Sequence, residues 1–205
     1  RGWSTTKLKY ESLKPVQYGL NIDSEKYVDE GIRFIRITDI NENGSINESG
    51  VFLSPDDVPN EYVLNIGDVL FSRSGATVGK SCIFTQSEQS AFAGYLVRFS
   101  FDSDITAKFV QYFCNSDNFW SWISLQATQS TIENVNGEKY SNLSIPNVSL
   151  NEKKSIVEYL DRETSKIDQM VDTETKRIDL LKEYRQSLIS NVVTGKIEVR
   201  DEVVQ

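Results

Sequence analysis

SLNEKKSIVEYLDRETSKIDQMVDTETKRIDLLKEYRQSLISNVV, residues 149–193, sets the architecture through its period. Counted by sevens, Val157, Thr164, Val171, Ile178, Arg185 and Val192 share one heptad position. Leu160, Ile167, Glu174, Leu181 and Leu188 share the position three residues later. Eight of these eleven are apolar, the a/d stripe of a coiled coil. A seven-residue repeat held this long calls for a supercoiled helical partner more than for a globular core. Thr164, Glu174 and Arg185 interrupt the stripe, and polar seam residues give up stability to fix register and partner. The expected seam is therefore Val157, Leu160, Ile167, Val171, Ile178, Leu181, Leu188 and Val192, meeting either a second copy of the same helix in a homodimer or a matching helix of a longer product of which this chain is half.

The helix has legible ends. Ser149 and Glu152 form a capping box, the hydroxyl accepting from a first-turn amide and the carboxylate reaching back. Gly195 supplies the left-handed residue that stops it. About 43 residues at ~1.5 Å each make a rod near ~65 Å long. Upstream, Ile32-Arg33-Phe34-Ile35-Arg36-Ile37 alternates apolar and basic residues and is expected to be a half-buried strand with both arginines on one face. Further strands are expected at Val69–Ser72, Ser81–Phe84 and Tyr95–Phe101, the first two joined by the small-residue loop Arg73–Lys80. Asp39–Gly50 and Gln126–Tyr140 are polar loops, and Trp3–Leu20 gives no clear element. Asp104 is expected to cap a single helix from Ile105 to Leu125, whose aromatic side faces the core. The fold class is α+β: a mixed, mostly β domain over 1–148, then the long coiled-coil helix within 149–205.

Composition removes several function classes. The 205 residues include no histidine, which eliminates the commonest general base, the commonest zinc ligand and every nucleophile scheme built on an imidazole. Cys82 and Cys114 lie in apolar surroundings without metal-site spacing and are expected in the core. Asp56-Asp57 and Asp102/Asp104 sit beside turn and cap signals, where aspartate serves local backbone, so no metal site or catalytic pair is assigned. Net charge is −8: residues 1–150 carry 12 Lys+Arg against 18 Asp+Glu, and the remainder 10 against 12. That balance argues against a broad phosphate-tracking surface and permits a local basic face. No apolar run approaches the ~18 residues of a membrane span, and the opening Arg-Gly-Trp-Ser lacks an export pattern, so a cytoplasmic protein without membrane contact is expected.

Gly75-Ala76-Thr77-Val78-Gly79-Lys80-Ser81 superficially suggests a phosphate-binding nucleotide loop, but three residues separate its glycines instead of four, and a strand follows where a helix must begin. The same loop gathers Arg73, Ser74, Thr77 and Lys80, suited to a phosphate or to a bidentate arginine–guanine contact; an ordinary solvated hairpin loop reads equally well. Asn41 and Asn43, and Gln129, Ser130, Thr131 and Asn134, carry amides and hydroxyls able to read base edges, or simply to meet water. Arg36 either faces DNA or solvates a sheet face.

Taken in order, Phe34-Ile35-Arg36-Ile37-Thr38-Asp39-Ile40, Gly67-Asp68-Val69-Leu70-Phe71-Ser72-Arg73-Ser74-Gly75, Thr77-Val78-Gly79-Lys80 and Leu143-Ser144-Ile145-Pro146 resemble the DNA-specificity subunit of type I restriction-modification systems. The run from Ile178 to Arg200, with Leu181-Lys182-Glu183-Tyr184-Arg185-Gln186-Ser187-Leu188-Ile189 and Val193-Thr194-Gly195-Lys196-Ile197, extends the resemblance over nearly the whole chain. It implies a target recognition domain that reads one half of a split site in double-stranded DNA. It also implies a helical region that serves as spacer and as dock for methyltransferase subunits, with the restriction subunit a further candidate partner. The chain itself would be non-catalytic and hold no cofactor; methyl transfer and cleavage would belong to partners using S-adenosylmethionine and ATP. The usual subunit carries two such domain–helix pairs, and this sequence has one. A second departure is Asn151-Glu152-Lys153-Lys154 where a Glu-Gln pair is more usual. From the residues alone, a dimeric coiled-coil adaptor that binds no DNA is the alternative.

Overall fold

Short apolar runs separated by turn residues cannot bury themselves locally, and the computed structural model, which describes residues 2–127 and 134–199, assembles them by long-range pairing. In chain order come β1 (Thr5–Lys7), α1 (Leu8–Glu11), β2 (Gln17–Tyr18), β3 (Tyr27–Val28), β4 (Ile32–Ile35) and β5 (Val51–Leu53). Next are β6 (Val69–Ser72), β7 (Ser81–Ile83), β8 (Ser90–Phe92) and β9 (Leu96–Phe99). The helices α2 (Asp104–Cys114), α3 (Asp117–Ala127) and α4 (Gly137–Ser141) precede β10 (Ser144–Pro146) and α5 (Leu150–Val193). The chain divides into two compact units, one ending at Val157 and the other starting at Glu158.

In the first unit one sheet has the order β2-β9-β6-β7, antiparallel throughout. A second has the order β3-β5-β4-β8, its β4–β8 pair parallel. β1 pairs with β10, Thr5 opposite Pro146. Successive side chains of β6 point to opposite faces. Val69 and Phe71 pack with Val110, Cys114, Phe119 and Ile123 of the helices, while Leu70 packs with Ile35 and Phe92 of the second sheet. The first sheet is thus buried on both faces. Cys82 and Cys114 are core residues whose thiols desolvation pushes up to about 12.

In the second sheet β4 is likewise covered on both faces, Ile32 and Phe34 packing in one cluster and Ile35 in another, which overturns the expected alternation. The strand stops at Ile35, every residue of it is buried, and positions three apart in a strand point to opposite faces, so Arg33 and Arg36 do not share one. Arg33 is a core residue: Nη2 donates to the carbonyls of Asn47 (3.1 Å) and Ser49 (2.8 Å) and lies 4.0 Å from the Asp39 carboxylate. Its room is provided by Gly50, where a Cβ would stand 0.9 Å from Nη1.

The expected helix from Ile105 to Leu125 is two. Ser103, not Asp104, caps α2, its hydroxyl accepting from Thr106 N (3.2 Å). Ser116 interrupts the run: Oγ donates to Phe113 O (2.7 Å) and accepts from Phe119 N (3.4 Å), local bonds that compete with the helical ladder.

α5 begins and ends as its sequence requires. Ser149 N donates to Glu152 Oε2 (3.3 Å) and Glu152 N to Ser149 Oγ (3.4 Å). At the far end Gly195 adopts φ +73°, with Gly195 N bonded to Val192 O (3.1 Å) and Lys196 N to Asn191 O (2.8 Å), a Schellman motif. Its first two turns belong to the first unit, which therefore extends past the expected boundary at 148. Lys153 is buried against Glu11 (2.5 Å), and Val157 packs on Phe109 and Val148. Val157 is thus core of the first unit instead of the head of the seam, because Phe109 and Val148 already cover it. Beyond it the stripe is bare: Ile167, Val171, Ile178 and Leu181 are 51–58% exposed and Leu188 is 40% exposed. Leu160 and Val192 are half-buried. Met170, Tyr184 and Ile189, exposed at flanking heptad positions, widen the apolar face beyond the a/d stripe. Among the described residues no helix is long and apolar enough to cross a membrane.

Candidate nucleic-acid interface

Arg73 follows directly on β6, where the hydrogen-bond ladder continues for one more residue on each side. Its amide donates to Tyr95 O (3.1 Å), and its carbonyl accepts from Val135 N (2.9 Å). Ser74 bridges to Asn134 beside it. The Arg73 side chain, half-buried, donates through Nε to Gly94 O (2.9 Å). Its guanidinium carbon lies 5.2 Å from the ring centre of Tyr18 and 5.8 Å from that of Tyr95. Both tyrosines are themselves exposed, at 41% and 60%, so the arginine is held in an aromatic bracket that opens to solvent. Tyr95 and Gly94 also line a cleft of about 510 Å³, whose wall includes Asn21, Thr38 and Arg36.

Arg36 closes that cleft from the second sheet. It is not a free cation: Nε and Nη2 donate to the two carboxylate oxygens of buried Asp39 (3.2 and 3.1 Å), and its amide donates to the same group (2.9 Å). Hydrogen bonding to Asp39 holds the Arg36 pKa above its ordinary value. The geometry gives Arg36 a structural duty and leaves it on the cleft wall.

The other expected contacts separate from this bracket. Thr77 turns inward, its hydroxyl 3.0 Å from Ser72 Oγ and donating to Ser74 O (3.3 Å). Gly75–Thr77 forms a single 3₁₀ turn, Gly79 takes φ +90°, and β7 starts at Ser81. Lys80 pairs with Glu42 (2.9 Å), and that ammonium group lowers the Glu42 pKa. Asn41 and Asn43 lie in the loop with Glu42. Asn41 Nδ2 donates to Ser45 Oγ (2.8 Å), and Asn43 Oδ1 accepts from Ser45 N (3.0 Å) and Oγ (2.7 Å), so each builds its own turn. Gln129, Ser130 and Thr131 lie outside the described residues. Of the sequence-derived candidates, Arg73, Ser74 and Asn134 form one cluster, Arg36 flanks the adjoining cleft, and Lys80, Asn41 and Asn43 form a second group around Glu42. Tyr18 and Tyr95 were not legible as site residues. Each is an isolated aromatic in a short segment, and only strand pairing across the sheet brings them to Arg73.

The sequence matches the family model of the type I restriction modification DNA specificity domain over residues 16–183, most of the chain. The chain belongs to this family. A curated relative, the type I restriction enzyme StySPI specificity subunit of Salmonella potsdam, is 22% identical over 202 residues, 96% of this chain and 43% of that protein. Among solved structures, a chain from a study of complex assembly and conformational transition in a type I R-M system superposes with a TM-score of 0.72 at 19% identity, covering 93% of this chain and 45% of that one. The HsdS subunit of Thermoanaerobacter tengcongensis gives 0.64 at 19% identity, covering 93% and 44%. The S subunit of M. genitalium gives 0.53 at 14% identity, covering 91% and 44%. At these identities the structural likeness establishes the fold, a mixed and mostly β region followed by a long helix. This specificity domain spans less than half the length of the relatives it matches.

Proposed function

We propose that this specificity domain is the non-catalytic DNA reader of a type I restriction-modification system, and that it directs partner methyltransferase subunits to a bipartite site. In this reading residues 1–148 recognise one half-site of double-stranded DNA, and 149–205 space and dock. The observation that carries it is the family match over 16–183, which takes in both the sheet-and-helix unit and most of α5. The open bracket around Arg73 supplies a local basic feature on a domain that is acidic as a whole. Partner subunits would share the phosphates and leave base contacts to this chain. The exposed seam of α5, Ile167, Val171, Ile178, Leu181 and Leu188, pairs with the same seam of a second copy, which makes the reader two-fold symmetric and the site an inverted repeat. A restriction subunit joins where cleavage accompanies modification.

The acidic balance of residues 1–150 favours a second reading, a dimeric adaptor that binds no DNA. Reconstitution with the modification subunits separates the two. Methyl transfer from labelled S-adenosylmethionine into a sequence-diverse duplex library, with a mobility shift that survives non-specific competitor, is expected of the reader. The absence of both, with a complex that still assembles, leaves the adaptor.

A further inference from the structure

We infer that Arg73 recognises a guanine base and not a phosphate, with Tyr18, Tyr95 and Gly94 acting as its positioning residues; this rests on the DNA-reading function proposed above. A phosphate can be met by a mobile point charge such as a lysine as well as by a held fork, whereas base discrimination requires a donor pair held in one plane and one place. Arg73 is restrained at every level. Its backbone is bonded on both sides, to Tyr95 O at 3.1 Å and from Val135 N at 2.9 Å. Its Nε is committed to Gly94 O at 2.9 Å. Its guanidinium lies against the rings of Tyr18 and Tyr95, which removes rotamer freedom before any ligand arrives.

With Nε used, the edge formed by Nη1 and Nη2 remains, and among the described residues neither nitrogen donates to a protein group. That edge is the fork that meets guanine O6 and N7 in the major groove. The bracket is itself anchored. Gly137 N donates to Tyr18 Oη (2.9 Å), and Tyr18 pairs with Val97 across β2 and β9. Gly94, whose carbonyl holds Nε, has no room for a side chain: a Cβ would stand 2.0 Å from Asn21 Oδ1. A phosphate contact does not require restraint of this kind, whereas selection of one base edge does, and Tyr18 and Tyr95 are themselves 41% and 60% exposed.

The test uses the chain assembled with its modification subunits and the duplex that its own methylome defines. Three results are expected. Arg73→Ala and Arg73→Lys still methylate, and one guanine of the half-site becomes any base, a loss of roughly 5- to 150-fold discrimination at that pair. Wild-type complex binds a duplex with 7-deazaguanine at that position weaker by a similar factor, while Arg73→Ala binds it as it binds the normal duplex; the wild-type half of this comparison does not depend on how the variants fold. Tyr95→Phe keeps the guanine and Tyr95→Ala relaxes it, a change in base preference that a merely structural role would not produce. The inference is overturned if the variants keep the motif unchanged, or if 7-deazaguanine is bound as tightly as guanine everywhere in the half-site. It is also overturned if Arg73→Ala weakens all duplexes alike and lowers the salt slope by about one, the behaviour of a phosphate contact. Failure of the underlying function looks different: the wild-type complex then yields no methylated motif, and the inference falls with it.

Discussion

A carboxylate can neutralise a cation before nucleic acid does, and Glu42 does this to Lys80. The ammonium group stands 2.9 Å from Glu42 Oε1 and holds the Glu42 pKa below its ordinary value, so the pair is complete at neutral pH and opens as pH falls through that lowered value. Glu42→Gln should therefore release Lys80 toward phosphate, tightening binding at low salt and steepening the salt dependence by about one counterion. Titration of duplex binding across ionic strength measures this, and an unchanged slope would remove Lys80 from the interface. The loop carrying Arg73, Ser74, Thr77 and Lys80 was legible from residue types alone, but the division of labour within it was not. Thr77 bonds to Ser72 and Ser74, and Lys80 to Glu42, through partners set by loop geometry. Arg33 misled for a related reason: in an exposed strand it would be solvated, whereas here carbonyls from a loop 14 to 16 residues away accept from its Nη2 in the core, while its Nη1 has no hydrogen-bond partner among the described residues.

Among the elements, those with local signals were the readable ones. The ends of α5 are written in Ser149, Glu152 and Gly195, and the structure uses all three as read. Ser149→Ala should cost about 1 kcal/mol. Urea denaturation checks it, and a change below a few tenths would mean that packing of the first two turns, through Lys153 and Val157, fixes the start of the helix without the cap. The short strands β1, β2 and β10 were not legible. Two or three residues carry no period, and β1 meets β10 across some 140 positions of chain, Thr5 against Pro146. The break between α2 and α3 was hidden because the aromatic periodicity runs through Ser116, whose hydroxyl ends one helix and starts the next.

For the whole molecule, the proposed function has a residue-level site read only a few base pairs, and pairing through the long exposed stripe of α5 would turn that into a spaced pair of readings. Seam residues at 51–58% exposure in the single chain are expected to be covered in the working assembly. Leu181→Asp and Ile167→Asp place a charge in that seam and should shift sedimentation from dimer to monomer while the first unit keeps its melting temperature. Equal sedimentation of both variants and wild type would take the homodimer away. Heptad spacing made the stripe visible in sequence; what lies opposite it was never written in one chain. The most direct test of the whole account is single-molecule methylome sequencing of cells with and without this chain, in the presence of its modification subunits. The account predicts one bipartite motif, its halves inverted repeats across a fixed spacer, methylated only when the chain is present; identical methylomes in the two strains would contradict it.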